Sequence, residues 1–255
     1  MSEVRNVKAD ELNVRIFDTR QSMGEEAAKQ AAGWIRDVAA KKEEVNIIFA
    51  AAPSQNEFLA ALCKEDVNWG CVNAFHMDEY IGLSEDAPQG FANFLRRSIF
   101  DLVPFKNVYC INGHNPNPED ECKRYEELLL KYPADIIFMG VGENAHLAFC
   151  DPGAAFFNDP ENVKIVRLAE TCRHQQVNDG CFKTLDEVPT HAFTLTVPIM
   201  MRVPNMMLIA PTALKANAIH DVVLGPVDEM VPASVVRTHK GGATLYTDEA
   251  GASRI

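Results

Sequence analysis

The chain has 255 residues, 47% hydrophobic and 24% charged, the balance of a globular protein with enough apolar residues for a large core. Lysine and arginine number 24 against 36 aspartates and glutamates, a net charge of −12, and no basic run exceeds Arg96-Arg97 or Lys41-Lys42. Nucleic acid is therefore a poor partner, because phosphate neutralisation supplies most non-specific affinity. No apolar run approaches the roughly 18 residues of a membrane span, and Met1-Ser2-Glu3-Val4 begins no secretory signal. The seven cysteines are scattered, without a Cys-x-x-Cys pair, so a cytoplasmic protein with free thiols and no membrane partner is expected.

Residues 15–18 form a short candidate strand, and residues 21–41, rich in Ala, Glu, Lys and Gln with apolar residues at helical spacing, predict the first helix. Val45-Asn46-Ile47-Ile48-Phe49-Ala50-Ala51 spells a buried strand that ends in Ala52-Pro53-Ser54-Gln55 and leads into a helix over 56–65. Cys71-Val72-Asn73-Ala74-Phe75 is the next strand, followed by an acidic loop, a turn at Ala87-Pro88-Gln89-Gly90 and a helix over 91–101. A strand at 108–111, a turn-rich loop and a charged helix over 119–131 repeat the unit. Residues 134–142 are the clearest buried strand; beyond them, residues 153–162 hold no sustained period and are expected to form a mobile segment over the site. Strands at 164–168, 192–197, 206–209 and 243–246 follow, with a polar helical stretch at 170–182 and a helix at 216–224. With no internal repeat or linker, this alternation predicts an α/β fold, one domain over 1–255, with a mostly parallel sheet covered on both faces.

Four segments fall after predicted strands: residues 52–55, 77–80, 143–151 and 211–215. The carboxyl ends of strands in an open parallel sheet share one rim, where ligands bind. Asp78 and Glu79 on that rim are candidates for acid–base work, with a helix N-cap and acidic first turn as the alternative. Gly140-Val141-Gly142-Glu143-Asn144-Ala145 nearly spells the dinucleotide fingerprint but lacks the third glycine and the long helix, so no nicotinamide cofactor is expected. His146, among Glu143, Asn144 and Asp151, reads as a proton-transfer group or as a histidine merely hydrogen-bonded inside its loop. Ser54 could offer an anion a hydroxyl and Lys215 a point charge; a plain cap and a solvated lysine are the alternatives. Isolated histidines without metal-ligand spacing argue against a metal, and the lack of Gly-x-Ser-x-Gly argues against a serine hydrolase.

Phe75-His76-Met77-Asp78-Glu79-Tyr80-Ile81-Gly82-Leu83 closely resembles the Met-Asp-Glu-Tyr segment of glucosamine-6-phosphate deaminases. Gly140-Val141-Gly142-Glu143-Asn144-Ala145-His146-Leu147-Ala148-Phe149-Cys150-Asp151-Pro152 is similar to their Gly-x-Gly-x-x-Gly-His-x-Ala-Phe-Asn-Glu/Asp-Pro loop. Matches at Asn112-Gly113, Lys215-Ala216 and Gly225-Pro226-Val227 extend the resemblance over nearly the whole chain. It implies a three-layer α/β/α sandwich with a mostly parallel, Rossmann-like sheet. The activity it implies is that of an isomerase-deaminase turning glucosamine 6-phosphate, or a close hexosamine phosphate, into a ketose phosphate and ammonia without a cofactor.

Carried over by position, Asp78 moves a proton between C2 and C1 and His146 assists ring opening, flanked by Asn144 and Asp151. Ala52 and Ser54 fall in the phosphate loop, Lys215 on the phosphate, and Glu79 and Gly142 beside the substrate. The chain departs from the pattern at several points. Asn144 can orient the imidazole through its amide oxygen but carries no charge to stabilise an imidazolium. Ala145 replaces a glycine, Cys150 an asparagine, Ala51-Ala52-Pro53-Ser54 a Thr/Ser-Gly-rich loop, and the arginine expected about six positions after Arg173 is absent. Two further readings stay open: a sugar-phosphate-binding or regulatory homologue with weakened turnover, and a 6-phosphogluconolactonase, against which Met77-Asp78-Glu79-Tyr80 speaks. The family includes hexamers and smaller forms, so a homo-oligomer also stays open.

Overall fold

The computed structural model describes residues 3–255. In chain order its elements are β1 (Glu3–Ala9), β2 (Leu12–Phe17), α1 (Arg20–Ala39), β3 (Val45–Phe49), α2 (Asn56–Leu62), β4 (Val72–His76), β5 (Asp78–Tyr80), α3 (Phe91–Leu95) and β6 (Asn107–Tyr109). There follow α4 (Pro118–Lys131), β7 (Ile136–Met139), β8 (Val163–Arg167), α5 (Glu170–Asn178), β9 (His191–Leu195), α6 (Val197–Met201), β10 (Asn205–Ile209), α7 (Ala216–Leu224) and β11 (Ala243–Asp248). Eight strands form one sheet in the order β1-β2-β11-β10-β7-β3-β4-β6, parallel throughout except for the β1–β2 hairpin. Among the described residues no helix is long and apolar enough to cross a membrane, and all seven cysteines are free.

The strands at the centre of the sheet read as unbroken apolar runs because both of their faces are covered. Ile48, Ile137, Met139, Met206 and Leu208 point into a core shared with Tyr125 and Leu129 of α4 and Ile219 and Val222 of α7. Their neighbours Ile47, Phe49, Ile136, Phe138, Met207 and Ile209 point the other way, into a core with the alanine face of α1 and with Phe58 and Leu62 of α2. This two-residue alternation produces the three layers expected from the sequence. The first helix starts at Arg20 because Thr19 caps it, its hydroxyl accepting from the Ser22 amide at 3.1 Å.

Several elements depart from the sequence reading. β1 is an exposed edge strand whose polar sequence has no apolar face to signal it. The helix expected over 91–101 is α3 followed by a π-helical turn at Arg96–Phe100. Residues 77–80, read as a loop, contain β5, which belongs to a second, antiparallel sheet in the order β5-β9-β8. The segment 153–162 does not line the cavity described below. It is tied down elsewhere, by Phe157 N donating to Glu229 at 2.7 Å and by Lys164 Nζ donating to the Ala154 carbonyl at 3.0 Å.

The switch from one sheet to the other is built around His76, at the end of β4. Its Nε2 accepts from the Ile111 amide at 2.9 Å, which leaves the proton on Nδ1 to donate to the Asp78 carbonyl at 2.9 Å. Tyr125 of α4 fixes the same point, its hydroxyl accepting from His76 N at 2.9 Å and donating to His76 O at 2.7 Å. Past Met77, whose carbonyl accepts from Leu195 N at 2.8 Å, β5 pairs with β9 in a register that sets Asp78 opposite Thr194.

Complete burial pushes the His76 pKa down to about 4. An unfolded histidine titrates near 6.5, so between these values the unfolded chain binds a proton that the fold refuses. The stability contributed by neutral His76 is full above about pH 6.5 and is lost as pH falls through about 4, by about 3 kcal/mol in all. Urea unfolding of wild type and His76→Gln at pH 7, 6, 5 and 4 should show the steeper decline in wild type, and equal slopes would contradict this role.

Candidate active site

A cavity of about 230 Å³ opens at the carboxyl ends of β3, β7 and β10. The segments after these strands supply Ala52 and Ser54, Gly142 and His146, and Thr212 and Lys215; Asp78 enters from the small sheet. Asp78 and His146, 68 positions apart in sequence, thus face the same space, and so do Ala52, Ser54, Gly142 and Lys215. Asn144 and Asp151 stand behind the histidine and do not line the cavity, and Glu79 faces away from it.

Asp78 is 7% exposed, and its carboxyl group has no hydrogen-bond partner among the described residues. Burial, with the Glu79 charge adding to it, raises its pKa well above the ordinary carboxylate value. Glu79, its neighbour on the opposite face of β5, does the structural work that the sequence left as an alternative. Its carboxylate accepts from the amides of Tyr80 at 2.9 Å, Phe91 at 2.9 Å and Ala92 at 2.8 Å, fixing the start of α3. Burial raises the pKa of Glu79 too, against the opposing pull of those three donors.

His146 is held from behind. Its Nδ1 lies 2.7 Å from Asn144 Oδ1 and 3.2 Å from Asp151 Oδ1, and Asn144 Nδ2 donates to that same carboxylate oxygen at 2.9 Å. Of the two side chains that hold the ring, only Asp151 carries a charge. Burial pushes the Asp151 pKa up, but hydrogen bonding to His146, electrostatic attraction to that ring and the Asn144 and Ala169 donors outweigh it and hold the carboxyl below its ordinary value.

The loop that carries His146 is tightly folded. Ala145 N donates to the Gly142 carbonyl at 3.0 Å, and Gly142 N donates to the His146 carbonyl at 3.0 Å. Ala145, standing in for a glycine, sits at φ +62, a left-handed conformation in which its Cβ adds strain. Phe149 N donates to Thr194 Oγ1 at 3.0 Å and Cys150 Sγ donates to the Leu195 carbonyl at 3.2 Å, so β9 anchors this loop as well as β5.

Lys215 follows β10 in a turn whose Thr212, at φ +84, is held by its amide donating to Asp248 Oδ1 at 2.9 Å. Lys215 is 5% exposed, and its ammonium has no hydrogen-bond or ion-pair partner among the described residues. Burial lowers its pKa, with the Asp179 charge opposing. Beside it, Gln55 donates to Ser54 Oγ at 3.2 Å and to the Ile209 carbonyl at 3.3 Å, tying the loop after β3 to the end of β10.

Sequence reasoning missed Arg20, Gln175, Gln176 and Asp179, which also line the cavity. Arg20 left one clue: a cation in the first turn of a helix opposes the helix dipole and calls for another partner. It finds Glu57 at 2.7 Å and the Pro53 carbonyl at 2.9 Å. The two glutamines and Asp179 belong to a polar stretch with a weak helical period that gives no sign of burial. Gln175 Oε1 accepts from Glu143 N at 2.8 Å, and its Nε2 donates to Asp179 at 3.3 Å, so α5 closes the wall between histidine and lysine.

Residues 18–246 match the family model described as glucosamine-6-phosphate isomerases/6-phosphogluconolactonase. The glucosamine-6-phosphate deaminase of Bacillus cereus (strain B4264) is 32% identical over 239 residues, covering 94% of this chain and 88% of that protein. The deaminase of Bacillus thuringiensis (strain Al Hakam) matches equally, at 32% over the same length, 94% of this chain and 88% of its own. Among solved structures, a monomeric glucosamine-6-phosphate deaminase superposes with a TM-score of 0.85 at 25% identity, covering 95% of this chain and 99% of that one. The 6-phosphogluconolactonase of Trypanosoma brucei shares the fold, with a TM-score of 0.78 at 16% identity over 95% of this chain and 98% of its own.

A Cβ at Gly142 would lie 2.2–2.4 Å from atoms of the His146 ring, so only glycine permits the imidazole to rest there. Gly142→Ala should expel the ring from Asn144 and Asp151 at a cost of about 1–3 kcal/mol in stability. The protected imidazole N–H resonance expected by NMR in wild type should vanish in the variant. Its persistence would mean that the ring is held by something else.

Proposed function

The chain belongs to the glucosamine-6-phosphate isomerase/6-phosphogluconolactonase family, and on that premise we propose that it converts glucosamine 6-phosphate, or a close hexosamine phosphate, and water into the ketose phosphate and ammonia. The observation that carries the reading is one cavity with two unsatisfied ends: a buried carboxyl without a partner, next to a braced histidine, and a buried ammonium without a counter-ion.

His146 manages the proton of the anomeric hydroxyl and the ring oxygen as the pyranose opens, with Asp151 stabilising its cationic form. Asp78 then takes the proton from C2 of the aldehyde and returns it at C1. The electron pair moves through the enolamine, leaving a C=N bond at C2; water adds to that carbon, the C2–N bond breaks, and ammonia leaves. A pKa raised by burial suits this task, because it makes the carboxylate a stronger proton acceptor than an exposed aspartate. The substrate ammonium next to Asp78 favours the ionised carboxylate when it is needed.

At the other end, Lys215 meets the phosphate with the Ser54 hydroxyl beside it. Asp179 on the same wall reduces the positive field there, so the anion is held by less net charge than one lysine and one arginine would provide.

Ammonia release from glucosamine 6-phosphate, coupled to a dehydrogenase assay, tests the reading; lactone hydrolysis without ammonia would assign the chain to the other branch of the family. Asp78→Asn should reduce turnover by about 100-fold or more. The same change should stabilise the fold at neutral pH. A raised native pKa means that the folded state binds the extra proton, so the penalty of ionising Asp78 grows as pH rises above the unfolded value near 3.9. The gain in Tm of Asp78→Asn should therefore be present at pH 7 and absent below about pH 4. Lys215→Met should raise KM with a smaller effect on kcat, whereas Asp179→Asn should lower KM for the phosphorylated sugar. An Asp179→Asn variant with weaker substrate binding would overturn this account of the anion end.

A further inference from the structure

Behind His146, on the side away from the cavity, the chain brings together three donors that no linear motif announces. His146, Asp151 and Cys172, in the first turn of α5, each present one ligand atom, and these atoms all lie within 4.8 Å of one another. All three residues are buried, Cys172 to 1% exposure. The Cys172 thiol forms no hydrogen bond among the described residues, and burial, with the charges of Asp151 and Asp78 adding to it, pushes its pKa far above the ordinary thiol value. The sequence argued against a metal on spacing alone; these residues stand 5 and 21 positions apart, and α5 closes the set only in the folded chain.

We propose that this cluster is a binding site for a borderline-soft divalent ion of the zinc type, and that occupancy inhibits the enzyme by engaging the imidazole. One nitrogen, one carboxylate oxygen and one sulfur make a donor set suited to zinc or cobalt and not to magnesium. Around a tetrahedral ion with bonds of about 2.0–2.3 Å such donors stand roughly 3.3–3.7 Å apart, so the side chains need only small rotations to close on it. The Asn144 amide oxygen, 2.7 Å from His146 Nδ1, or a water can complete the shell. On binding, a metal–sulfur bond forms as the Cys172 thiol releases its proton to solvent, and a metal–nitrogen bond forms at Nδ1 as the ring shifts to the tautomer protonated on Nε2; the ion, Asp151 carboxylate and thiolate together carry no net charge. Affinity therefore rises with pH. With the ion on Nδ1 and the ring proton held on Nε2, the nitrogen turned to the cavity can no longer accept a proton, and ring opening slows.

The test uses the full chain, stripped with a chelator that is then removed. Titration with Co²⁺ should produce a near-ultraviolet sulfur-to-cobalt charge-transfer band that saturates at one ion per chain. Zn²⁺ should inhibit turnover over the range in which it displaces Co²⁺, and Mg²⁺ should do neither. Cys172→Ser should lose the band, weaken Zn²⁺ inhibition by roughly tenfold or more, and keep its metal-free turnover. Cys172→Ala, matched to wild type by circular dichroism and Tm, serves if the serine variant does not fold. A chain that shows no band at millimolar Co²⁺, or variants that keep both the band and the Zn²⁺ sensitivity, would overturn the proposal. Because the cobalt band needs no turnover, it separates failure of the metal site from failure of the deaminase assignment.

Discussion

Everything in the site depends on a change of direction between His76 and Asp78. A parallel strand would normally run into a loop, and a catalytic carboxylate on such a loop would move with it. Here a fully buried neutral imidazole grips the backbone on both sides, the Ile111 amide on one and the Asp78 carbonyl on the other. The chain then enters a second sheet at once. β9 sits in the middle of that sheet and holds both partners of the proposed chemistry: Asp78 through strand pairing, and the His146 loop through Thr194 Oγ1 and the Leu195 carbonyl. Acid and histidine are thus referred to one rigid strand, which is how positioning within about half an ångström becomes attainable.

The cavity is an electrostatic arrangement that the folded protein leaves incomplete. A buried carboxyl without donors and a buried ammonium without acceptors both cost free energy in the unliganded chain, and a ligand with an amine at one end and an anion at the other satisfies both. That is the usual relation between stability and activity: the groups proposed to bind and react are those the fold would be more stable without. Backbone strain follows the same pattern, since the left-handed Ala145 and Thr212 both lie in loops at the cavity.

The departures from the family pattern become intelligible once the neighbours are known. Asn144 and Asp151 act as a pair, the amide orienting the imidazole and the carboxylate supplying charge, so of the two acids that flank the histidine in the family pattern only the second remains. Cys150 replaces an asparagine side chain with a thiol that donates to β9. Asp179 is the departure with the largest electrostatic consequence, because it places a negative charge on the wall where we propose that the anion binds.

The sequence by itself determined the strands of the parallel sheet, the helices that cover them and the presence of Asp78, His146 and Lys215 on one rim. Period-two burial on both faces and helical spacing are local signals, and the ends of parallel strands necessarily share an edge. Only the tertiary structure decided that β5 is a strand, that Glu79 caps α3 instead of facing the cavity, that α5 brings Gln175 and Asp179 to the cavity wall and Cys172 behind His146, and that the segment 153–162 lies elsewhere. Each of these depends on contacts between residues far apart in sequence, such as Asp78 opposite Thr194. A three-residue strand or a polar helix carries no pattern of its own that says what will stand across from it.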